Sequence, residues 1–317
     1  MILNVAYSTD NNYVQHVGVS LISLFENNKE FDEITVYIIE NNISEISKVN
    51  IKLISEKYNR QIKFIDFNKF KGNLKLDIKN SISLSSYARL FLGRIISTNV
   101  ERVIYMDCDS VINKSLMDLW TMNIYQYYIA GVLDTVSNET KVKVGMDLKS
   151  PYVNAGMLLI NLKKWREDNI EEKFIEFIDT YNGKVFHHDQ GTINGVLNKK
   201  ILILHPKYNA MTTFFTMNRT DIITYYGLSD YYDEVHLKEA IEEPIFVHYT
   251  PAFTTRPWIK GCKHPLRGLY EKYLDMTPWK NIKLRSDSRK AVEKFVASLY
   301  NNLPFNVANR ICKSLYR

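Results

Sequence analysis

Asp107 and Asp109 are the residues of this chain best suited to chemistry. They close the run Arg102-Val-Ile-Tyr-Met-Asp-Cys-Asp109, an apolar stretch of strand character that ends in two carboxylates one residue apart. Side chains alternate faces along a strand, so extended geometry carried as far as Asp109 puts both carboxylates on one face. Two hard-oxygen ligands at a strand end, facing a crevice, suit a divalent cation. A cation held there can clamp a diphosphate and neutralise a departing phosphate. A solitary Asp-x-Asp is more often a solvated turn. The apolar run in front of this one places it at the C-terminal edge of a strand, where open α/β sheets bind ligands.

Other polar residues fall at the ends of predicted strands and at helix starts. Asp10 and Asn12 follow the first strand, Asp134 follows a later one, Asp189 and Gln190 open a helix, and His248 follows Ile245-Phe-Val247. In an open α/β sheet such ends converge on one edge. A histidine arriving beside two carboxylates offers a third ligand, and mixed nitrogen and oxygen ligation favours Mn²⁺ over Mg²⁺. The loop after strand one carries no G-x-G-x-x-G, and no Walker-type phosphate loop occurs. Phosphate binding therefore falls to a metal and to cationic side chains.

The elements that must position these groups follow from periodicity. A strand over 2–6 leads into a polar loop over 7–13 and a helix over 13–26, apolar at Val14, Val17, Leu21, Leu24 and Phe25. A strand over 34–39, a helix from Ser44 to 58 and a strand over 62–65 complete a β-α-β-α-β run, the signature of a mostly parallel sheet. The stretch 69–81 is polar and aperiodic. Beyond it come a short helix near 86–94, the Asp-x-Asp strand, a helical turn at 115–120 and a strand over 128–133. A polar loop over 135–150 leads to a strand over 156–160, a helix over 171–181 and another from Asp189. Short strands at 201–204 and 245–247 and a helix over 265–274 close the body. The expected class is α/β: one Rossmann-like domain over 1–279 with a mostly parallel central sheet, then a helical basic extension over 280–317.

Composition narrows the setting. Of 317 residues only three are cysteine (Cys108, Cys262, Cys312), scattered and without a CxxC, which argues for a reducing compartment and against zinc or a disulfide framework. The first residues read as a core strand without a charged leader, and no apolar run is long enough to span a bilayer. A cytoplasmic protein is expected. The net charge of +6 sits in the tail, where residues 280–317 carry nine Lys/Arg against Asp287 and Glu293. Val292, Phe295, Val296, Leu299 and Tyr300 recur there at helical spacing, and a second segment follows Pro304. A basic amphipathic segment of this kind can lie on an anionic membrane surface, here the inner face of the plasma membrane. The plainer alternative is a solvated helix packed on the body. The basic and aromatic residues form no nucleic-acid-binding module, so no nucleic-acid partner is expected.

Six segments in order give a specific resemblance. Asp10-Asn-Asn-Tyr13, Ser86-Tyr-Ala-Arg-Leu90, Tyr105-Met-Asp-Cys-Asp109, Asn154-Ala-Gly-Met-Leu-Leu-Ile-Asn161 with Trp165, His188-Asp-Gln190, and Val247-His-Tyr249 with Arg256-Pro-Trp258 together resemble family 8 of the retaining glycosyltransferases. That family includes bacterial lipooligosaccharide α-galactosyltransferases, lipopolysaccharide glucosyl- and galactosyltransferases and glycogenin. The match runs over about residues 1–275. It implies a GT-A type fold, retention at the anomeric carbon, a UDP-hexose donor (galactose favoured, glucose next) and Mn²⁺, with Mg²⁺ second, on Asp107, Asp109 and His248. It also implies donor contacts from Ala6, Tyr7, Asp10, Asn12, Arg89, Asp107, Cys108, Asp134, Asn154, Ala155 and Arg256. The acceptor would be a glycan of a surface polysaccharide, lipooligosaccharide or glycoprotein, lipid-linked forms among them.

Within that frame Gln190 is expected to stabilise the oxocarbenium-like carbon while the acceptor attacks from the leaving-group face, with Asp189 orienting the sugar hydroxyls. The small Ala155-Gly156 pair lets a sugar lie against the backbone. Trp165 reads as a core anchor, and Trp258 as either a core residue or a platform for the acceptor. Three departures stand out. The family's Lys-Pro-Trp is Arg256-Pro-Trp here, and arginine is not lysine's equivalent at a phosphate. The stretch between His248 and Arg256 is longer and lacks the family's glycine, and Gly191 replaces a second Asp after Gln190. Two rival classes bear weighing. Asp107-Cys-Asp-Ser-Val111 also fits the D-x-D-x-[TV] of aspartyl-phosphate phosphatases of the haloacid dehalogenase type, but about a hundred residues of α/β pattern precede it and no downstream G-D-x-x-x-D follows. A non-catalytic nucleotide-sugar binder would not need the full set of Asp107, Asp109, Gln190 and His248.

Overall fold

The computed structural model describes residues 1–71 and 87–315. Segments apolar on both faces are stable as strands only when both faces are covered. Seven segments form one sheet: β1 (Ile2–Asp10), β2 (Glu33–Asn41), β3 (Gln61–Asp66), β4 (Arg102–Met106), β6 (Ile129–Leu133), β7 (Val153–Asn161) and β8 (Ile201–Ile203), in the order β3-β2-β1-β4-β7-β6-β8. The edge strand β3 departs from that pattern, with Gln61 and Lys63 exposed on one face. All run parallel except β7, which is antiparallel to both β4 and β6. Three short strands, β5 (Ser110–Ile112), β9 (Ala210–Met211) and β10 (Phe246–His248), make a second sheet in the order β5-β10-β9.

Residue alternation divides the core in two. Leu3, Val5, Ile38, Ile104 and Met106 face one apolar layer; Ala6, Ile39, Val103, Tyr105 and Leu158 face the other. Helix α1 (Val14–Glu26) and helix α2 (Glu45–Lys57) cover the first layer. Ser44 caps α2 by accepting from Ser47 N, as its sequence signal implies. Trp165 is fully buried against Phe174, a core anchor as expected.

Two local expectations fail for stated reasons. The first strand continues through the polar residues 7–10, because β2 pairs with it residue by residue from Ile2 to Asp10. Partner pairing overrides the local turn signal there. The stretch 135–150 holds a helix, Asn138–Lys143, capped by Ser137, with Val144 and Met146 buried behind it. Six residues are too few to show a period. The start of the helix expected near 86–94, and residues 72–81 of the polar stretch, lie outside the described residues. The described part of that helix is a 3₁₀ turn, Ala88–Phe91, that runs into Leu92–Ile95. The tail is helical, as Ala291–Asn302 and Phe305–Leu315.

Candidate active site

The topology brings distant segments to one edge. Because β7 alone runs backward, its first residues lie beside the end of β4, and Asp107 N donates to Gly156 O at 2.7 Å. Strand β5 starts directly after the Asp-x-Asp turn. Its antiparallel partner β10 sets His248 opposite Ser110, and Tyr249 N donates to Asp109 O at 2.9 Å. Extended geometry does not persist through the motif, since β4 ends at Met106. The two carboxylates still converge, because the small second sheet redirects the chain.

His248 Nε2 lies 3.2 Å from Asp109 Oδ1 and 3.8 Å from Asp107 Oδ2. Ligand atoms from the three residues fit within 4.8 Å of one another. Asn209 spends its amide nitrogen on Asn154 Oδ1, so its Oδ1 accepts from His248 Nδ1 at 3.1 Å. That bond fixes the imidazole with Nε2 toward the carboxylates, the arrangement of a metal-ligating histidine held from behind. The donor set therefore fits a divalent cation. Burial alone would raise the Asp109 carboxyl, but His248 and Arg256 outweigh it and hold it well below the usual carboxylate range. Burial would lower His248, and Asp109 with Asp107 raises it instead.

Gly156 makes room for the imidazole. A Cβ there would sit 2.1 Å from His248 Cε1 and 2.7 Å from Nδ1. Gly156→Ala should therefore push His248 off its ligand position and cost about 1–3 kcal/mol of stability by overpacking. Paired thermal melts and Mn²⁺ titrations check this. Unchanged melting and unchanged metal affinity would show that the close packing does not hold the ligand.

Arg89 ties the carboxylates together. Its Nη2 meets Asp107 Oδ1 at 2.9 Å, its Nε meets Asp189 Oδ2 at 2.8 Å, and its Nη1 donates to Ala155 O at 2.6 Å. The guanidinium lies over the Tyr105 ring at 4.3 Å. Asp189 opens the helix His188–Leu197 and is buried, which pushes its carboxyl up, with Arg89 opposing. Beside it, Gln190 Nε2 donates to Asp134 Oδ2 at 2.8 Å and its Oε1 accepts from Ala155 N at 2.9 Å. Asn154 Nδ2 also donates to Asp134 Oδ2, at 3.2 Å. Both sides of the Gln190 amide are thus fixed in orientation by the protein.

A cleft of about 290 Å³ opens above this network. Ser8, Thr9, Asp10 and Tyr13 line it together with Tyr105, Asp107, Cys108, Asp109, Arg89 and Arg256. Arg256 places Nη2 3.0 Å and Nε 3.1 Å from Asp109 Oδ2. Burial pushes the Cys108 thiol up, and it donates to Ser8 O. Asp10 Oδ1 accepts from Asn12 N and Tyr13 N, so that carboxylate shapes the turn into α1.

The residues expected from sequence fall into three groups. Asp10, Arg89, Asp107, Cys108, Asp109 and Arg256 line the cleft. Asp134, Asn154, Ala155, Asp189 and Gln190 form the bonded network next to it, with His248 against the two carboxylates. Ala6, Tyr7 and Asn12 are not brought there. Ala6 and Tyr7 are fully buried on opposite faces of β1, the Tyr7 hydroxyl meeting Ser20 Oγ at 2.9 Å, and Asn12 is exposed on the turn. The structure adds Ser8 and Thr9, hidden from sequence reasoning by the misplaced end of β1, and Tyr13 and Tyr105. It also adds Asn209, which no local signal marks. Trp258 is no platform for an acceptor: it is buried and stacked on His16 at 3.8 Å between ring centroids. Burial, with Arg285 adding to it, pushes His16 down to about 3, so that ring is neutral.

Comparison with known proteins gives the family and the fold. The sequence pattern of Glycosyl transferase family 8 matches residues 4–262. General stress protein A of Bacillus subtilis is 29% identical over 286 residues, covering 89% of this chain and 96% of that protein. The lipopolysaccharide 1,2-glucosyltransferase of Escherichia coli K12 is 27% identical, covering 92% of this chain and 82% of that protein. In fold, the chain is similar to the galactosyltransferase LgtC, solved in complex with donor and acceptor sugar analogues. The TM-score is 0.70 at 24% identity, over 87% of this chain and 96% of that one.

Proposed function

The chain belongs to glycosyl transferase family 8 and has the GT-A fold, and on that premise we propose that it moves a hexose from a UDP-sugar to a glycan acceptor with retention at the anomeric carbon. The observation that carries this reading is the Asp107, Asp109 and His248 cluster, whose two carboxylates line a cleft together with Arg89 and Arg256. These three residues would hold Mn²⁺, with Mg²⁺ the second choice because imidazole suits transition metals. When bound, the ion compensates charge on the departing diphosphate. Arg256, beside Asp109 in the same cleft, reaches the same charge. In the transfer the C1–phosphate bond breaks and the C1–acceptor bond forms on the same face, and the acceptor proton passes to the departing phosphate.

Gln190, held by Asp134 and the Ala155 amide, presents its amide oxygen to the developing positive carbon. It is a poor nucleophile, and Asp189 is engaged by Arg89. Both facts favour front-face attack over a covalent intermediate. Trapping a sugar adduct on Asp189 would overturn that mechanism. Galactose is the favoured sugar and glucose the next; the two differ at one hydroxyl, read by a few hydrogen bonds of the kind Asp134 and Asn154 offer. The experiment is UDP release from a panel of UDP-sugars with Mn²⁺, Mg²⁺ or EDTA. Mn²⁺-dependent release from one sugar supports the proposal. If nothing is released and UDP with Mn²⁺ does not bind in calorimetry, the donor assignment fails.

The acceptor is a surface glycan, lipid-linked forms included, reached from the cytoplasmic side. Among the described residues no helix is long and apolar enough to cross a membrane. The tail supplies peripheral contact: Val292, Phe295 and Val307 are exposed on its two helices, which also carry Lys294, Arg310 and Lys313. The segment before them belongs to the body, since Arg285 N donates to Trp258 O and Lys260 N to Arg285 O, both at 2.9 Å. Removing 291–317 should therefore weaken binding to anionic liposomes and leave donor hydrolysis within about threefold of the full chain. Equal sedimentation of both forms with the liposomes would dismiss the membrane role.

A further inference from the structure

A second polar pocket, of about 160 Å³, lies where the tail meets the loop that precedes Arg256. It has several times the ~30 Å³ share of one water, room for a phosphate group. Its cations are Lys263, from the loop, and Arg289 and Lys294, from the start of the tail, and among the described residues no acidic one lines it. Thr254, Ser298 and Asn301 bring polar groups to the same walls.

The pocket is braced. Asn301 Nδ2 and Arg289 Nη1 both donate to Phe253 O, at 3.1 and 3.3 Å. Tyr300 stacks on Phe253 with ring centroids 3.9 Å apart, and Lys263 N donates to the buried Thr254 Oγ1. Asp287 engages Arg289 through Nε and Nη2, which fixes the guanidinium and still leaves further N–H donors. Two ammonium groups and the remaining guanidinium N–H donors, with hydroxyl and amide groups on the same walls, match a phosphate.

We propose that this pocket binds a phosphate monoester or diester, separately from the donor cleft. The ligand would be the phosphate of a lipid headgroup or of a phosphorylated soluble glycan. That it belongs to the acceptor rests on the proposed function; that the pocket takes phosphate does not. Thr255 is the last residue of the pocket loop before Arg256, so an acceptor seated there is anchored next to the arginine that faces Asp109.

The test uses the full chain without nucleotide, titrated with inorganic phosphate and with glycerol 3-phosphate by calorimetry. Lys263→Ala/Lys294→Ala is compared with Lys283→Ala/Lys313→Ala, which removes the same charge from tail residues outside the pocket. The expected result is saturable phosphate binding that falls about tenfold or more in the pocket variant and stays within about twofold in the control. Phosphatidylcholine vesicles with and without phosphatidic acid then separate the sources. A headgroup ligand predicts vesicle binding that glycerol 3-phosphate displaces, whereas a soluble ligand predicts vesicle binding indifferent to the pocket variant. Equal losses in both variants, or no saturable binding by the parent chain, would overturn the site. UDP binding is measured in parallel, so a failed donor reading shows there and a failed pocket shows only with phosphate.

Discussion

Asp109→Asn should lower sugar-donor turnover by on the order of a thousandfold, with the chain still folded. The exchange keeps the shape of the side chain and removes one charge. That charge is buried, 8% exposed, and is shared by His248 at 3.2 Å and Arg256 at 3.0 Å. An amide there is a weak ligand for a hard cation and offers its NH₂ to Arg256, a donor that needs an acceptor. The leaving diphosphate would then lose both the metal and the orientation of Arg256. UDP release with Mn²⁺ reads the effect, and calorimetric Mn²⁺ titration separates lost metal from lost chemistry. Turnover within tenfold of the parent chain would mean that Asp109 is not a ligand. The same substitution should leave a cooperative melt, because the β5-β10 pairing that carries the site uses backbone bonds.

The second large effect is on stability. Arg89→Met should cost about 3–5 kcal/mol, since it strands two carboxylates that arginine now compensates. Arg89 is itself 7% exposed, and Asp107 and Asp189 hold its guanidinium firmly charged against the opposing effect of burial. Asp189 is buried with it, and its carboxyl, already raised, should protonate in the variant. A lysine cannot meet Asp107, Asp189 and Ala155 O from one planar group, so Arg89→Lys should recover only part of the loss. Asp189→Asn placed on top of Arg89→Met should restore stability by removing the stranded charge. Urea melts of the four chains check the series. A loss below about 1 kcal/mol for Arg89→Met would show that water reaches the pair and that it acts as a surface bridge.

Some of the site was readable because its signals are local. Asp107 and Asp109 end an apolar strand, and a strand end in an α/β sheet is a ligand edge whatever follows. Gln190 and His248 stand at a helix start and a strand end, whereas Arg89 and Asn154 were found through ordered segments that resemble a family. Ser8 and Thr9 were missed because turn residues after Ala6 look like a loop, whereas β2 pairs with them as strand. Asn209 was missed because its role, fixing His248 Nδ1, depends on a neighbour 39 positions away. Tyr7 was placed at the donor and Trp258 was left open between core and platform for the opposite reason. An aromatic near a motif can face core or cleft, and only packing decides; one meets Ser20 and the other stacks on His16.

The sequence by itself determined the class of fold, the edge of the sheet that carries the site and the chemical type of the side chains gathered there. Apolar period, strand ends and residue chemistry act over a few positions and need no partner to be read. Tertiary structure alone decided which groups meet. The reversed strand β7 puts Gly156 and Ala155 beside Asp107, and the three-strand sheet carries His248 across to Asp109. Those contacts join positions far apart in the chain, so their energy exists only once both strands are paired.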